Sequence, residues 1–355
     1  MLRRQAATVL SRILKDQAGA TGRAALPRNV TQIRWQWNRS GEYQHFQQRT
    51  SLFGRYEGLG SKRTLTWVSF AAGGCFVVWV TNREEIPYTG RKHCILVPSS
   101  LEQSIGQNTF QQIRSEAKSQ GTLLPDHHPY VKMIKRIGMK IAQKASDDTG
   151  VSGHMEHMKG LKWEFAVIDS DQVNAFVVPG GKVVVYTGLL KLLQEPAMET
   201  QLAAVLGHEI AHVVARHAAE RMTQSEVSGL IRTAVYIAVG IPIPAGAAAA
   251  VFFLPHSRRS ETEADSIGMR LAAKACYDPA AAAAVFQKLG AEEAEAGGAQ
   301  IPGFLRTHPL TEDRIKNVQK QLPAASVIYA AAGCEGSKRY MLNSMFGPHS
   351  IVVEE

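Results

Sequence analysis

The sequence has few cysteines and no repeats, and these absences exclude several classes of protein. Its four cysteines lie far apart and form no Cys-x-x-Cys pair. That spacing excludes a zinc-ribbon protein and argues against a disulfide-rich scaffold. A single bridge between Cys276 and Cys334 stays open, because it requires an oxidising compartment that the sequence does not identify.

Outside its first segment the chain also lacks a charge excess of either sign. Residues 1–63 carry 12 Lys/Arg and 3 Asp/Glu, whereas residues 64–355 carry 28 of each sign. A nucleic-acid-binding protein needs its basic residues in the folded part, where they neutralise phosphates. We therefore expect no nucleic acid among the partners, and the net charge of +9 marks an N-terminal address signal.

The N-terminal segment lacks acidic residues at its start. None precedes Asp16, while Arg3, Arg12 and Lys15 alternate with apolar residues. An amphipathic, Arg-rich and acid-poor start is typical of a mitochondrial transit peptide. No apolar stretch follows these charges, which argues against a secretory signal. We predict a transit peptide followed by a poorly structured basic segment over 1–63, with a basic disordered tail as the alternative.

Long hydrophobic runs are scarce. Residues 64–80 form an uncharged, mostly apolar run of 17 residues. Trp67 and Trp79 lie near the ends of this run, as interfacial aromatics do. This length is the short limit for a membrane span of about 20 residues. We predict one transmembrane helix over 64–81, with a buried helix as the alternative. The basic residues before it place the following chain in the intermembrane space by the positive-inside rule.

The pattern of apolar residues predicts a mainly helical chain with a small sheet. We predict strands over 163–169 and 174–187, the second broken by Pro179-Gly180-Gly181. Helices are predicted over 101–147, 188–220, 260–275 and 279–290.

The segment His208-Glu209-Ile210-Ala211-His212 carries the clearest chemical signal. On a helix, residues four apart are separated by about 40° around the axis, so both imidazoles project to one side. Two imidazoles so placed can bind one Zn²⁺. Glu209 lies about 100° from His208, beside the metal, where it can take a proton from the attacking water. An ordinary amphipathic helix with two histidines is the alternative.

The third metal ligand cannot come from the metzincin position. That pattern needs glycine at 215 and histidine at 218, and the chain has Ala215 and Ala218. His217 lies nine residues after His208, about 180° around a continuous helix. We therefore predict that His217 is exposed, or supports a ligand without binding the metal.

Glu261 is the best candidate for the third ligand. Glu261 and Asp265 are four residues apart and share a helical face. Glu261 can bind zinc while Asp265 orients a ligand imidazole through its free N–H. A solvated acidic face is the alternative, and Glu263 is expected to be solvated or salt-bridged.

The segment 233–257 carries no formal charge and could enter a membrane. Two prolines divide it, and neither half reaches spanning length. A full crossing would also place the candidate ligands before and after it on opposite sides of the bilayer. We favour a membrane-facing hairpin over 233–254, with a buried helical pair as the alternative.

These motifs resemble those of a known family. A His-Glu-x-x-His segment followed about 50 residues later by Ser-Arg-x-x-Glu-x-x-Ala-Asp is similar to the membrane metallopeptidases that include HtpX and the CAAX prenyl protease. The similarity extends to Asn174-Ala175-Phe176, to Tyr186-Thr187-Gly188 and to Thr307-His308-Pro309 with Arg314. The early hydrophobic run and Ile86–Arg91 look most like the mitochondrial inner-membrane branch, whose activity overlaps that of the m-AAA protease.

The resemblance implies a role for each motif residue. His208, His212 and Glu261 would bind one Zn²⁺ per subunit, with Glu209 as general base and Asp265 supporting a ligand. Asn174 would lie on an edge strand that pairs with the substrate backbone. His308 would approach the site and stabilise the oxyanion, and Arg314 would pair with a carboxylate. Asn174 in a plain turn, His308 in a plain loop and a solvated Arg314 are the alternatives.

The expected protein is thus an α+β, mainly helical zincin-like metalloendopeptidase with a small sheet and one N-terminal transmembrane helix. Its peptidase domain would cover 85–325, followed by a C-terminal extension over 326–355. Its partners would be the lipid bilayer and membrane protein substrates at the mitochondrial inner membrane, including a dynamin-like fusion GTPase, and it could form a homo-oligomer. A catalytically silent scaffold that keeps the fold is the alternative, although an intact Glu209 argues against it.

Overall fold

The computed structural model describes residues 62–147, 155–193, 197–239, 242, 244, 254–295 and 302–334. The chain divides into two units, residues 1–67 and 68–355, and nearly all described residues belong to the second. The predicted transit peptide lies outside the described residues except for its last two positions. So do most of the predicted hairpin and residues 335–355 of the predicted C-terminal extension.

Two small sheets form in the described residues. Strands β1 and β2 pair in an antiparallel hairpin, while β3, β4 and β5 form a sheet of order β3-β5-β4 with β5 parallel to β3 and antiparallel to β4. The strands are Arg83–Glu85 (β1), Lys92–Cys94 (β2), Glu164–Ile168 (β3), Ala175–Val178 (β4) and Lys182–Tyr186 (β5). The break predicted at Pro179 is the β4–β5 turn, where Gly180 and Gly181 both adopt positive φ.

Helices make up most of the described residues, which confirms the prediction of a mainly helical α+β fold. They are Lys62–Thr81 (α1), Ser99–Ser119 (α2), Pro129–Asp147 (α3), Thr187–Leu193 (α4), Met198–Val214 (α5), His217–Val239 (α6), Leu254–Lys274 (α7), Ala281–Glu295 (α8), Gly303–Thr307 (α9) and Glu312–Ala331 (α10). A short 3₁₀ turn covers Glu156–Met158. The helix predicted over 101–147 is two helices, because the chain turns at Gly121, which has φ +69°.

Helix α5 lies at the centre of the main core. It is apolar on nearly all sides, and a helix with no polar face must be surrounded by other elements. Helices α3, α7 and α8 and strand β4 contact it. A side-chain site on α5 is therefore enclosed and held by rigid neighbours.

Helices α5 and α7 approach each other closely where two glycines meet. A Cβ atom on Gly207 would lie 2.8 Å from the carbonyl oxygen of Gly268, and one on Gly268 would lie 2.7 Å from the Gly207 backbone. Either contact is too short for real atoms, so both positions require glycine at this helix spacing. The close approach brings the His-Glu-x-x-His turn of α5 beside the acidic turn of α7.

The predicted transmembrane helix is not confirmed. The segment 64–81 falls within α1. Among the described residues, no helix is both long and apolar enough to cross a membrane. Of the predicted hairpin, residues 233–239 form the end of α6.

Cys276 and Cys334 form the disulfide that the sequence left open, with their Cα atoms 5.3 Å apart. Cys276 adopts a left-handed conformation with φ +62° just after α7, and Cys334 follows α10. The bridge therefore joins the ends of two helices, α7 and α10, that pack against each other.

Candidate metal centre

The two histidines of α5 point at each other. The Nε2 atoms of His208 and His212 lie 3.1 Å apart, and both side chains are buried. Burial lowers the pKa of His212 well below its usual value, so this imidazole is neutral, as a metal ligand must be. The helical spacing of four residues thus produces the paired donors that the sequence predicts.

Two further donors converge on this pair. On α7, Glu261 places Oε2 3.3 Å from Nε2 of His208 and Oε1 3.6 Å from Nε2 of His212. His308, just after α9, places Nδ1 3.2 Å from Nε2 of His208 and 2.9 Å from Oε2 of Glu261. One donor atom from each of these four buried residues lies within 4.8 Å of the others.

This donor set fits a zinc ion. Zinc–nitrogen and zinc–oxygen bonds of about 2.0–2.1 Å in a tetrahedron put neighbouring donors about 3.3 Å apart, close to the separations found here. Oε1 of Glu261 is buried and makes no hydrogen bond. Burial raises the pKa of Glu261, but the three surrounding imidazoles outweigh it and hold that pKa well below its usual range. An ionised carboxylate with a free oxygen and neutral imidazole is the donor chemistry that zinc prefers.

Asp265 and Arg314 support the donors from behind. Oδ1 of Asp265 lies 2.9 Å from Nδ1 of His208, the ring nitrogen that faces away from the other donors. Arg314 donates to both Asp265 oxygens at 2.7 Å and reaches within 3.3 Å of Oε2 of Glu261. Asp265 thus contacts His208, and Arg314 pairs with a carboxylate; their support of a metal ligand stays a prediction.

Glu209 lies beside the donors and is not one of the four that converge. Its side chain is only 1% exposed, and Oε1 lies 3.4 Å from Nε2 of His308. Burial raises the pKa of Glu209 above its usual value, which suits a group that must accept and return a proton. Its carboxylate is thus close to the cluster and free of the donor positions.

His217 is not where a continuous helix would place it. The helix ends at Val214, and Arg216 adopts φ +51°, so α6 starts in a new direction at His217. The turn brings Nδ1 of His217 to 2.8 Å from Nδ1 of His212, and His217 is buried. The prediction of an exposed His217 is wrong, because its side chain is buried against His212. The alternative, that His217 supports a ligand, stays a prediction.

A cleft runs along strand β4 beside the cluster. Its volume is about 240 Å³, and Val177, Glu209, His212 and His308 are among the residues that line it. Strand β4 is an edge strand of its sheet, with no neighbouring strand on its outer edge among the residues that the structure describes. Asn174 immediately precedes β4 and is half-buried. A Cβ atom on Gly303, the first residue of α9, would lie 3.2 Å from the Asn174 side chain.

A match to a known family establishes which family the chain belongs to. A model of peptidase family M48 matches residues 140–322, which include every cluster residue described above. The chain belongs to peptidase family M48. This membership confirms the resemblance drawn from the motifs and, with the names of the relatives below, the prediction of a metalloendopeptidase.

Several curated relatives align with this chain over different lengths. Mitochondrial metalloendopeptidase OMA1 of Saccharomyces cerevisiae is 32% identical over 284 residues, covering 79% of this chain and 80% of the relative. The human metalloendopeptidase OMA1 is 28% identical over 275 residues, covering 74% and 50%. The β-barrel assembly-enhancing protease of Escherichia coli is 31% identical over 182 residues, covering 47% and 36%.

Zinc binding to this M48 site should depend on pH through His208. Burial lowers the pKa of His208, while its contacts with Asp265 and Glu261 raise it to a net value of about 9 without metal. The metal must then displace a proton, so its apparent association constant should rise about tenfold per pH unit between about pH 6 and pH 8. Competition with a fluorescent chelator measures this slope. A flat profile would mean that His208 is already neutral before zinc binds.

Proposed function

We propose that this M48 peptidase is a zinc endopeptidase whose donors are His208, His212 and Glu261. The observation that supports it most is the convergence of these side chains from two helices, with Glu209 beside them. When bound, zinc would polarise the scissile carbonyl and make the attacking water more acidic. Glu209 takes the proton of that water and returns it to the leaving amine.

The substrate backbone pairs with strand β4 as an added strand. Residues of β4 line the cleft, and N–H and C=O groups along its outer edge can hold an extended peptide across the cluster. Asn174 lies at the start of that edge, next to Val173, whose carbonyl accepts from the N–H of Phe304 in α9. This arrangement suits proteins that present an unfolded or flexible segment rather than small peptides alone.

His308 can act either as a fourth metal donor or as a group that stabilises the oxyanion. Four protein donors would fill a tetrahedral zinc, whereas a catalytic zinc needs one open position. His308 is the donor outside the two ligand helices, so we propose that it yields its place to substrate. Once displaced, its imidazole donates to the developing oxyanion.

We propose that the enzyme acts at the mitochondrial inner membrane, on the intermembrane-space side, and cuts membrane proteins. The acid-poor N-terminal sequence and the mitochondrial relatives support the organelle. The Cys276–Cys334 disulfide supports a compartment more oxidising than the cytosol. A dynamin-like fusion GTPase remains the substrate that the family resemblance suggests, and a homo-oligomer is compatible with this hypothesis.

Chelation tests the proposed zinc peptidase directly. The purified protein should cleave unfolded casein, lose that activity in 1,10-phenanthroline, and regain it when zinc is added in excess of the chelator. Cleavage that continues in the chelator would contradict a zinc mechanism. A metal-loaded protein that cleaves neither casein nor vesicle-bound membrane proteins would favour the alternative, a catalytically silent scaffold.

A further inference from the structure

His212 makes its contacts with two different nitrogens. Its Nε2 faces the donor cluster, 3.1 Å from Nε2 of His208. Its Nδ1 faces the opposite way and lies 2.8 Å from Nδ1 of His217. A metal-binding imidazole needs a lone pair on the metal side, so a partner for the other nitrogen decides whether His212 is ready to bind.

The hydrogen-bond pattern fixes where each proton lies. His217 places its second nitrogen, Nε2, 3.2 Å from Oε2 of Glu263, and a carboxylate oxygen only accepts. Nε2 of His217 must therefore donate, which leaves Nδ1 of the neutral ring as an acceptor. His212 then donates from its Nδ1 and keeps the Nε2 lone pair for the metal. The reverse arrangement would put a proton on Nε2 of His212, where it would block the ion.

Glu263 is itself anchored by the turn of the β1–β2 hairpin. Arg91 donates from Nε to Oε2 of Glu263 at 2.9 Å, and the hydroxyl of Thr89 donates to the other oxygen. Arg91 also forms two hydrogen bonds of 2.7 Å with Glu220 on α6. The carboxylate therefore cannot rotate away from His217 without breaking a buried ion pair.

We propose that His217 is a positioning residue that sets the tautomer and ring orientation of His212. Glu263, held by the hairpin through Arg91, fixes His217 in turn. The metal centre is thus preorganised by a hairpin that lies more than a hundred residues earlier in the sequence. This inference rests on the proposed zinc site and explains part of the affinity of that site for zinc.

Three variants test the inference through zinc affinity rather than turnover. His217→Leu removes the acceptor and should weaken zinc binding about 10- to 100-fold. His217→Asn keeps an acceptor oxygen and should recover part of that loss. Glu263→Gln introduces an amide that can donate as well as accept, so the proton of His217 is no longer confined to Nε2. Zinc binding should therefore weaken. Glu226→Gln, an exposed substitution on the same helix as His217, is the matched control and should leave affinity unchanged.

Nitrogen-detected NMR of the histidine side chains provides a second test on the wild-type protein. In the zinc-loaded form, Nδ1 of His212 and Nε2 of His217 should carry protons, and Nδ1 of His217 should not. This readout decides the question even if a variant fails to fold. A proton on Nδ1 of His217, or a folded His217→Leu protein with wild-type zinc affinity, would overturn the inference. A wild-type protein that binds no zinc would instead refute the proposed function.

Discussion

Glu209→Gln should reduce kcat by about 10²- to 10⁴-fold while the protein keeps its zinc. The amide has the same shape as the carboxylate but cannot accept the proton of the attacking water. Glu209 is not one of the four clustered donors, so removing its charge leaves the donor set intact. The buried amide also avoids the cost of burying a charge, so the fold should not weaken. Initial rates on casein and zinc content per chain measure both effects.

Glu199→Gln is the matched control for this variant. Glu199 lies in the first turn of the same helix, α5, and forms an exposed ion pair with Arg136. Exposed pairs contribute little to stability, so this variant should keep wild-type rates and zinc content. A Glu209→Gln enzyme that keeps a tenth or more of wild-type kcat would show that another group is the base.

Arg314→Leu should lower the free energy of unfolding by about 3–5 kcal/mol, because it leaves a buried ion pair without its cation. The Arg314 side chain is only 2% exposed and donates to both oxygens of Asp265. It also lies within 3.3 Å of Glu261 and 5.0 Å from the centre of the Phe286 ring. Urea denaturation of the zinc-free protein measures the loss without the contribution of metal binding.

Two further variants separate charge from packing at this position. The double variant Asp265→Leu with Arg314→Leu removes both charges and should recover much of the lost stability. It should still bind zinc more weakly, because Nδ1 of His208 has lost its carboxylate partner. Arg306→Leu, exposed on α9, should change stability by less than about 0.5 kcal/mol. An Arg314→Leu protein as stable as this control would show that the buried pair contributes little.

The parts of the site that the sequence predicted are those set by local helical geometry. A spacing of four residues brings His208 and His212 together on any continuous helix, and the same spacing pairs Glu261 with Asp265. The break between two strands at Pro179 was also predictable locally, because proline and glycine restrict or release the backbone at their own positions. No distant contact is needed to infer these features.

The position of His217 depends on contacts that local reasoning cannot reveal. Helix α5 ends because Arg216 adopts a left-handed conformation, which is rare for a residue with a side chain. Its guanidinium is held by Glu84 and Glu102 and by the carbonyl of Val97, all more than a hundred residues earlier. Those ion pairs stabilise the turn that carries His217 back to the metal site.

Dependence on distant contacts also explains why the sequence did not predict the disulfide or the buried network around Arg91. Cys276 and Cys334 are 58 residues apart, and spacing alone gave no reason to pair them. Arg91 meets Glu220 and Glu263 across 129 and 172 residues. Such contacts depend on how whole helices pack, so local patterns in a single sequence do not predict them.

X-ray absorption at the zinc edge of the zinc-loaded protein tests the central claim most directly. Binding by His208, His212 and Glu261 predicts one zinc per chain, a shell of nitrogen and oxygen atoms at about 2.0–2.1 Å, and the scattering pattern of imidazole rings. The free cysteines Cys75 and Cys94 offer the competing site. Sulfur at about 2.3 Å, or a His208→Ala variant with an unchanged spectrum, would place the metal elsewhere and contradict the account.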